Sequence, residues 1–342
     1  MTSAQSSGGR LRAYFEFVAA VFYFFLARTL AHHGAQGLVH DEWNPLIEQA
    51  MLAFLLVAGY ATMGFWLDRE AHPIGGQGFP SRDGLNTEIG LGVATGWGLA
   101  VVCVLPLVVF GGITVVFSGD LASWGWMAAD AAFFALAALA EEVAFRGYGF
   151  QRFVRALGPF GASFGFAAYY ALVQSLVPGS GRASFAVSVA LGLVLATAYL
   201  RTRALWLGWG LNFGWKASRA LLFGLAVSGD GTHSHVVQGD PMGPLRLTGG
   251  AFGLDGSWLA AVVMLAAIPV VFRITRDLDF RYNAPVIKPA GIPVDLDAAA
   301  RAQHEAAMGA SEPAPPALVQ IVGAPAPTPA DRSSNGEPPG SR

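Results

Sequence analysis

Charge is scarce in this chain. Only 13% of its 342 residues are charged, against about 25% in an ordinary soluble domain, and the net charge of -2 offers no basic footprint for nucleic acid. Lysine is almost missing: Lys216 and Lys288 are the whole complement, and the remaining positive charge is arginine. One cysteine, Cys103, lies inside an apolar block, which allows no intrachain disulfide and says nothing of redox compartment. No histidine occurs between His72 and His233, so the stretch richest in unexpected polar residues contains no imidazole. No internal repeat is found, which counts against a transporter built from repeats. What the chain does have is apolar residues, 54% of the total, in blocks long enough to cross a bilayer. The pattern predicts an all-α, polytopic transmembrane helix bundle of about eight spans, multi-pass in the cell membrane, with both termini cytoplasmic.

The expected organisation has three parts. Residues 1–13 form a short basic cytoplasmic segment, residues 14–276 a transmembrane helical domain, and residues 277–342 a Pro/Ala-rich cytoplasmic tail, disordered from about residue 300. The spans are read at 14–31, 46–67, 89–115, 125–148, 160–177, 184–200, 204–227 and 257–274. The first lacks a small-residue cleavage site and reads as an uncleaved targeting span. The third is over-long and contains Pro106 and Gly111-Gly112, which predicts a tilt or kink. Arginines set the orientation. With the N-terminus inside, the inner segments hold Arg10, Arg12, Arg69, Arg82, Arg146, Arg152, Arg155, Arg201, Arg203, Arg273, Arg276 and Arg281, and the outer ones Arg28, Arg182 and Arg246. The Gly-rich loop 228–256 then lies outside.

A carboxylate at membrane depth costs roughly 2.5–3.5 kcal/mol even on lenient insertion scales, which makes a functional site the default reading of one. Glu141 and Glu142 stand about seven residues from the read end of the fourth span, roughly 10 Å deep. Arg146 is one turn beyond Glu142 and shares its face, whereas Glu141 is rotated by about 100°. One acid can be neutralised while the other faces a cavity and takes a proton from water; equally, the group can be a structural ion pair. On the seventh span Asn212 and Lys216 share a face. A buried lysine needs a partner or must lose its proton, so Lys216 is expected to face the glutamates, either as a charge pair or as part of a site. Tyr169, Tyr170 and Gln174 read alone as core residues. His233-Ser234-His235 and His32-His33 are weak metal signals without evident further ligands, and Asp130 is an isolated acid.

Glu141-Glu142-Val143-Ala144-Phe145-Arg146-Gly147 resembles the Glu-Glu-x-x-x-Arg signature of the CPBP family of CAAX-protease and bacteriocin-processing membrane endopeptidases. Ala198-Tyr199-Leu200-Arg201-Thr202-Arg203-Ala204-Leu205-Trp206 is similar to the lead-in to that family's last site helix, and Gly210–Lys216 and Phe223–Gly229 continue the likeness, which covers about residues 125–255. The resemblance implies an all-helical fold with a polar site sunk near the cytoplasmic side, hydrolysing peptide bonds of prenylated or membrane-associated substrates. Glu141 would activate water together with a histidine from a Phe-x-x-x-His motif, and a His-x-x-x-Asn motif would hold the oxyanion; in some descriptions the histidines and glutamates bind metal.

The chain departs from that pattern at three positions. Gln174 stands at the first histidine, Asn212 at the second and Lys216 at the asparagine. Glutamine cannot exchange a proton near neutral pH, and amides are poor transition-metal ligands, so no cofactor is expected. Asn212 can still donate to an oxyanion, and Lys216 beside Glu141 weakens it as a base. Helix counting leaves Gln174 nearer the outer face than Glu141, which requires a tilted or late-starting fifth helix. The site is expected to comprise Glu141, Glu142, Arg146, Gln174, Asn212 and Lys216. Three functions compete: an active histidine-free endopeptidase, a protease-like protein that binds a membrane peptide or partner without cleaving it (a scaffold or immunity role), and ion or proton transport.

Overall fold

The computed structural model describes residues 7–38, 40–118, 121–282 and 300, 301, 303 and 304. The chain divides into two compact units, Met1–Ala284 and Pro285–Arg342. The expected disordered tail lies almost wholly outside the described residues.

The first unit is built from helices: α1 (Ser7–Gln36), α2 (Asn44–Asp68), a one-turn α3 (Pro73–Gly76), α4 (Leu85–Val109), α5 (Leu121–Arg146), α6 (Tyr148–Gln174), α7 (Arg182–Thr202), α8 (Trp206–Ala217), a short α9 (Leu245–Thr248), α10 (Trp258–Ile274) and α11 (Arg276–Tyr282). Each apolar block of the sequence falls on one of them. Four segments are long and apolar enough to cross a membrane: Gly8–Gln36, Asp41–Asp68, Leu85–Val109 and Arg182–Thr202. Large apolar side chains such as Phe22, Phe54, Phe65 and Val109 project outward from three of these, as they would toward lipid. Together these features make an integral membrane protein.

Three expected boundaries are corrected. The third span stops at Val109, not residue 115, because Gly111 takes a left-handed turn (φ 72°) and Ile113–Phe117 becomes strand β1. β1 pairs antiparallel with β2 (Val237–Pro241), Ile113 opposite Pro241 and Phe117 opposite Val237. The seventh span leaves the α-helix after Ala217, widens into one π turn (Ser218–Leu222), and is not helical at 223–227. There Gly224 (φ 63°) lets the backbone pack on Gly239.

The third correction concerns the connection after the fourth span. α5 ends at Arg146, close to the expected residue 148, but the segment 149–159, read as a connection, is itself helical as far as Gly158. After a break at Gly147 the chain is helical again from Tyr148, and it turns only at Gly158-Pro159, where glycine φ 81°, ψ 168° and a proline interrupt the helix. Side-chain contacts show that the chain folds back there. Phe153 meets Phe166, Phe150 meets Phe166, Phe145 meets Tyr169 and Tyr170, and Glu141 meets Tyr170. The rungs climb in opposite directions along the two arms, as in an antiparallel hairpin. Glu141 is therefore about as far before the turn as Gln174 is after it, and the two share a level. The second arm starts at Pro159, one residue before the expected start of the fifth span; the helical run from Tyr148 to the turn is what brings Gln174 level with Glu141.

Helices α4 and α8 cross at close range. A Cβ on Gly92 or Gly96 would collide with the backbone of Leu207, Leu211 or Trp215, and one on Gly210 or Gly214 with that of Ile89 or Val93. Two small-xxx-small stripes thus face each other and bring the backbones together. This fixes the rotation of α8 and turns Asn212 and Lys216 toward α5. Trp209 adds an indole N–H bond of 2.9 Å to the Ala135 carbonyl of α5.

Candidate functional site

Glu141 sits on α5 at the point where α6 and α8 converge. Lys216 Nζ donates to its Oε1 at 2.7 Å, and Asn212 Nδ2 to its Oε2 at 2.8 Å. The Tyr170 hydroxyl donates to Oε2 at 3.3 Å and itself accepts from Gln174 Nε2 at 3.0 Å. Both oxygens of Glu141 are thus held by donors from two other helices, and Gln174 reaches the carboxylate only through Tyr170.

The neighbouring acid is held differently. Glu142 is fully buried and bonds Arg146 Nη1 at 3.2 Å within one turn of α5. The Arg146 guanidinium lies 5.2 Å from the Tyr170 ring centroid, a cation–π contact that joins the two acids' surroundings. Glu142 Oε2 has no protein hydrogen-bond donor, and it lies against Gly208, where a Cβ would come within 2.5 Å of it. The 100° offset between adjacent helical positions accounts for this division: Glu142 points into the packed interior and Glu141 onto a cavity wall.

That cavity, about 180 Å³, is lined by Glu141, Gln174 and Lys216 together with apolar groups such as Phe24, Leu52 and Phe134. Lys216 also borders a second small cavity beside Arg219 and Asp255. Arg219 pairs with Asp255 at 2.8 Å and covers the Trp215 ring at 4.1 Å. Ser228 gives Asp255 two more hydrogen bonds, from its backbone N–H (3.1 Å) and its hydroxyl (2.9 Å). Burial pushes the Asp255 carboxyl up, but Arg219 and Lys216, with hydrogen bonds from Arg219 and Ser228, outweigh it and hold the group below its ordinary value.

All six expected site residues are thus close together: Glu141, Gln174, Asn212 and Lys216 in one hydrogen-bonded chain, Glu142 and Arg146 packed behind it. Sequence reasoning left Tyr170 in the core, although it is the bridge between Gln174 and Glu141. It missed the Arg219–Asp255 pair altogether, because Asp255 comes from a distant loop. Asp130 acquires a role as well: it bonds His233 Nδ1 at 3.1 Å and the Ser234 backbone N–H at 2.9 Å, so it anchors the loop 228–256.

The groups bonded around Glu141 are two amides, a phenol and a lysine, which are poor transition-metal ligands, and among the described residues no group of three His, Cys, Asp or Glu side chains that could hold a metal ion is found.

Residues 122–218 match the family model described as type II CAAX prenyl endopeptidase Rce1-like. The matched stretch runs from the start of α5 to just beyond α8 and contains every residue from Glu141 to Lys216. This domain is consistent with membership of the CPBP family. No curated protein and no solved structure matches the chain.

Proposed function

We propose, from an Rce1-like domain whose carboxylate is tied down, that this CAAX-protease-like membrane protein binds a peptide or partner in its Glu141 cavity without cleaving it. The observation that carries the reading is the Lys216–Glu141 contact of 2.7 Å. A general base needs a free lone pair beside the attacking water. Here three of the carboxylate's four lone-pair sites are taken, one on Oε1 by Lys216 and two on Oε2 by Asn212 and Tyr170, and the position next to them offers an amide where a proton carrier is needed. The bundle is read as multi-pass in the cell membrane, with about eight spans and both termini cytoplasmic.

One observation keeps hydrolysis in play as a second reading: Glu141 still lines the cavity, its side chain 20% exposed. The test compares peptide cleavage, prenylated CAAX peptides included, by purified wild type, Glu141→Gln and the triple variant Gln174→His/Asn212→His/Lys216→Asn in nanodiscs. Silence from wild type with activity in the triple variant is expected. Cleavage by wild type that vanishes in Glu141→Gln would replace the binding reading with a histidine-free glutamate peptidase.

A further inference from the structure

The two ends of the bundle differ in charge, and the cavity belongs to only one of them. At one end lie Arg12, Arg82, Arg152, Arg155 and Arg201, where α1 begins, α2 ends, and the α6 hairpin turns. The cavity lies at the other. Besides the site residues its wall includes Arg28 near the end of α1, Glu48 and Gln49 near the start of α2, Val177 beyond α6, and Ser228 and Asp230 of the loop after α8. A neighbouring cavity of about 230 Å³ shares Phe133, Phe134 and Asp230 with it and continues outward to Glu42, Trp43, Trp126 and His233. The two make one groove, running from Glu141 to the arginine-poor face.

The positive-inside rule assigns the arginine-rich end to the cytoplasm. The mouth of the groove is then on the opposite side, and a cytoplasmic prenylated tail cannot reach it without crossing the membrane. The chemistry of the mouth indicates what does. Glu42, Glu48 and Asp230 line it against one cation, Arg28. Trp43 and Trp126, with ring centroids 5.1 Å apart, add aromatic surface of the kind on which a guanidinium or ammonium settles. The inner part, about 180 Å³, sets Phe24, Leu52, Phe133 and Phe134 beside the Glu141–Lys216 pair, so it offers an apolar wall as well as charge.

We propose that the Glu141 cavity is entered from the non-cytoplasmic face and that its occupant is a positively charged peptide segment presented on that side of the membrane. This rests on the peptide-binding reading above and names the side and charge of the partner.

The test has two arms. Single cysteines replace Gly231 and Glu42 at the mouth and Gly8 at the other end; a Cβ at Gly231 or Gly8 meets nothing within 4 Å, and Cys103, fully buried, is the silent background. A membrane-impermeant maleimide on intact cells should label Gly231→Cys and Glu42→Cys, and Gly8→Cys only after permeabilisation. The reverse pattern overturns the proposal. In the second arm, fluorescent decapeptides of equal apolar content, one basic and one acidic, are titrated onto wild type in zwitterionic nanodiscs. The basic peptide should bind at least tenfold tighter, and Glu42→Gln/Asp230→Asn, checked for an unchanged melting temperature, should lose most of that preference. Equal binding of both peptides, or of neither, overturns it. Cleavage of the basic peptide by wild type would sink the non-cleaving reading alone and leave both arms intact.

Discussion

Arg152 and Lys216 are both buried cations that join helices, yet they do opposite things. Arg152, fully buried, draws carboxylates from α1, α2 and the link after α2: Glu16 at 3.8 Å, Asp68 at 2.8 Å and Glu70 at 3.4 Å. Its guanidinium also covers the Tyr148 ring at 4.4 Å, and Tyr148 in turn donates to Asp68 at 2.9 Å. Lys216 meets one carboxylate, Glu141, and both stand on a cavity wall. The arginine knot fastens α1 and α2 to the chain just after α5. The lysine pair fills a place where a reacting group would otherwise stand. Ion pairing between helices therefore does not by itself mark a site; adjacent space does.

The sharpest way to break the comparison is Arg152→Ala. It takes the shared cation from Glu16, Asp68 and Glu70 and leaves a hole, with only Arg12 still beside Glu16 and Arg155 and Tyr148 beside Asp68; removing one partner of a buried ionic group costs about 3–5 kcal/mol. Little folded protein is expected after detergent extraction, read by size-exclusion profile and melting temperature. Survival with an unchanged melting temperature would make the knot a surface ornament.

Lys216→Met should cost less, about 1–3 kcal/mol, since Glu141 borders a cavity where water can replace the lost donor. The double variant Glu141→Gln/Lys216→Met should recover part of that loss, because both charges then leave together. Thermal unfolding of the four proteins measures the coupling, and strict additivity would deny the ion pair its energetic role.

How much of this was readable beforehand differs between the same two regions. The helices follow from apolar run length. The pairing of Glu142 with Arg146 and the sharing of a face by Asn212 and Lys216 follow from helical spacing alone. The level of Gln174 does not, because residues 149–159 read as a connection and not as helix running to Gly158. The Gly158-Pro159 dipeptide was the available signal for the true turn, and reading it would have put Gln174 opposite Glu141 at once. The arginine knot, the β1–β2 pair and the Asp255 contact join residues far apart in sequence. Local pattern carries no information about such partners.

A smaller effect tests the tie between α8 and α5. Trp209→Phe keeps an aromatic ring and removes the N–H that bonds the Ala135 carbonyl, a loss of about 1 kcal/mol. Because α8 carries both Asn212 and Lys216, the loss should also loosen the grip on Glu141. The coupling energy between Glu141 and Lys216, measured again in this background, should fall; an unchanged value would assign the rotation of α8 wholly to its glycine contacts with α4.

The smallest effect expected is a pH dependence at Asp255. Its folded carboxyl is held below the ordinary value, so the unfolded chain takes up its proton first as pH falls. The stabilisation is whole above about pH 4, the ordinary aspartate value, and drains away as pH drops through the lower folded value. Asp255→Asn removes this contribution at every pH. Melting temperatures of wild type and variant, measured from pH 6 downward in one detergent, should therefore be widest apart at pH 6 and converge toward pH 3. A gap constant with pH would mean that Asp255 matters as a hydrogen-bond acceptor for Ser228 and Trp215, and that Arg219 owes its position to the Trp215 ring rather than to the carboxylate.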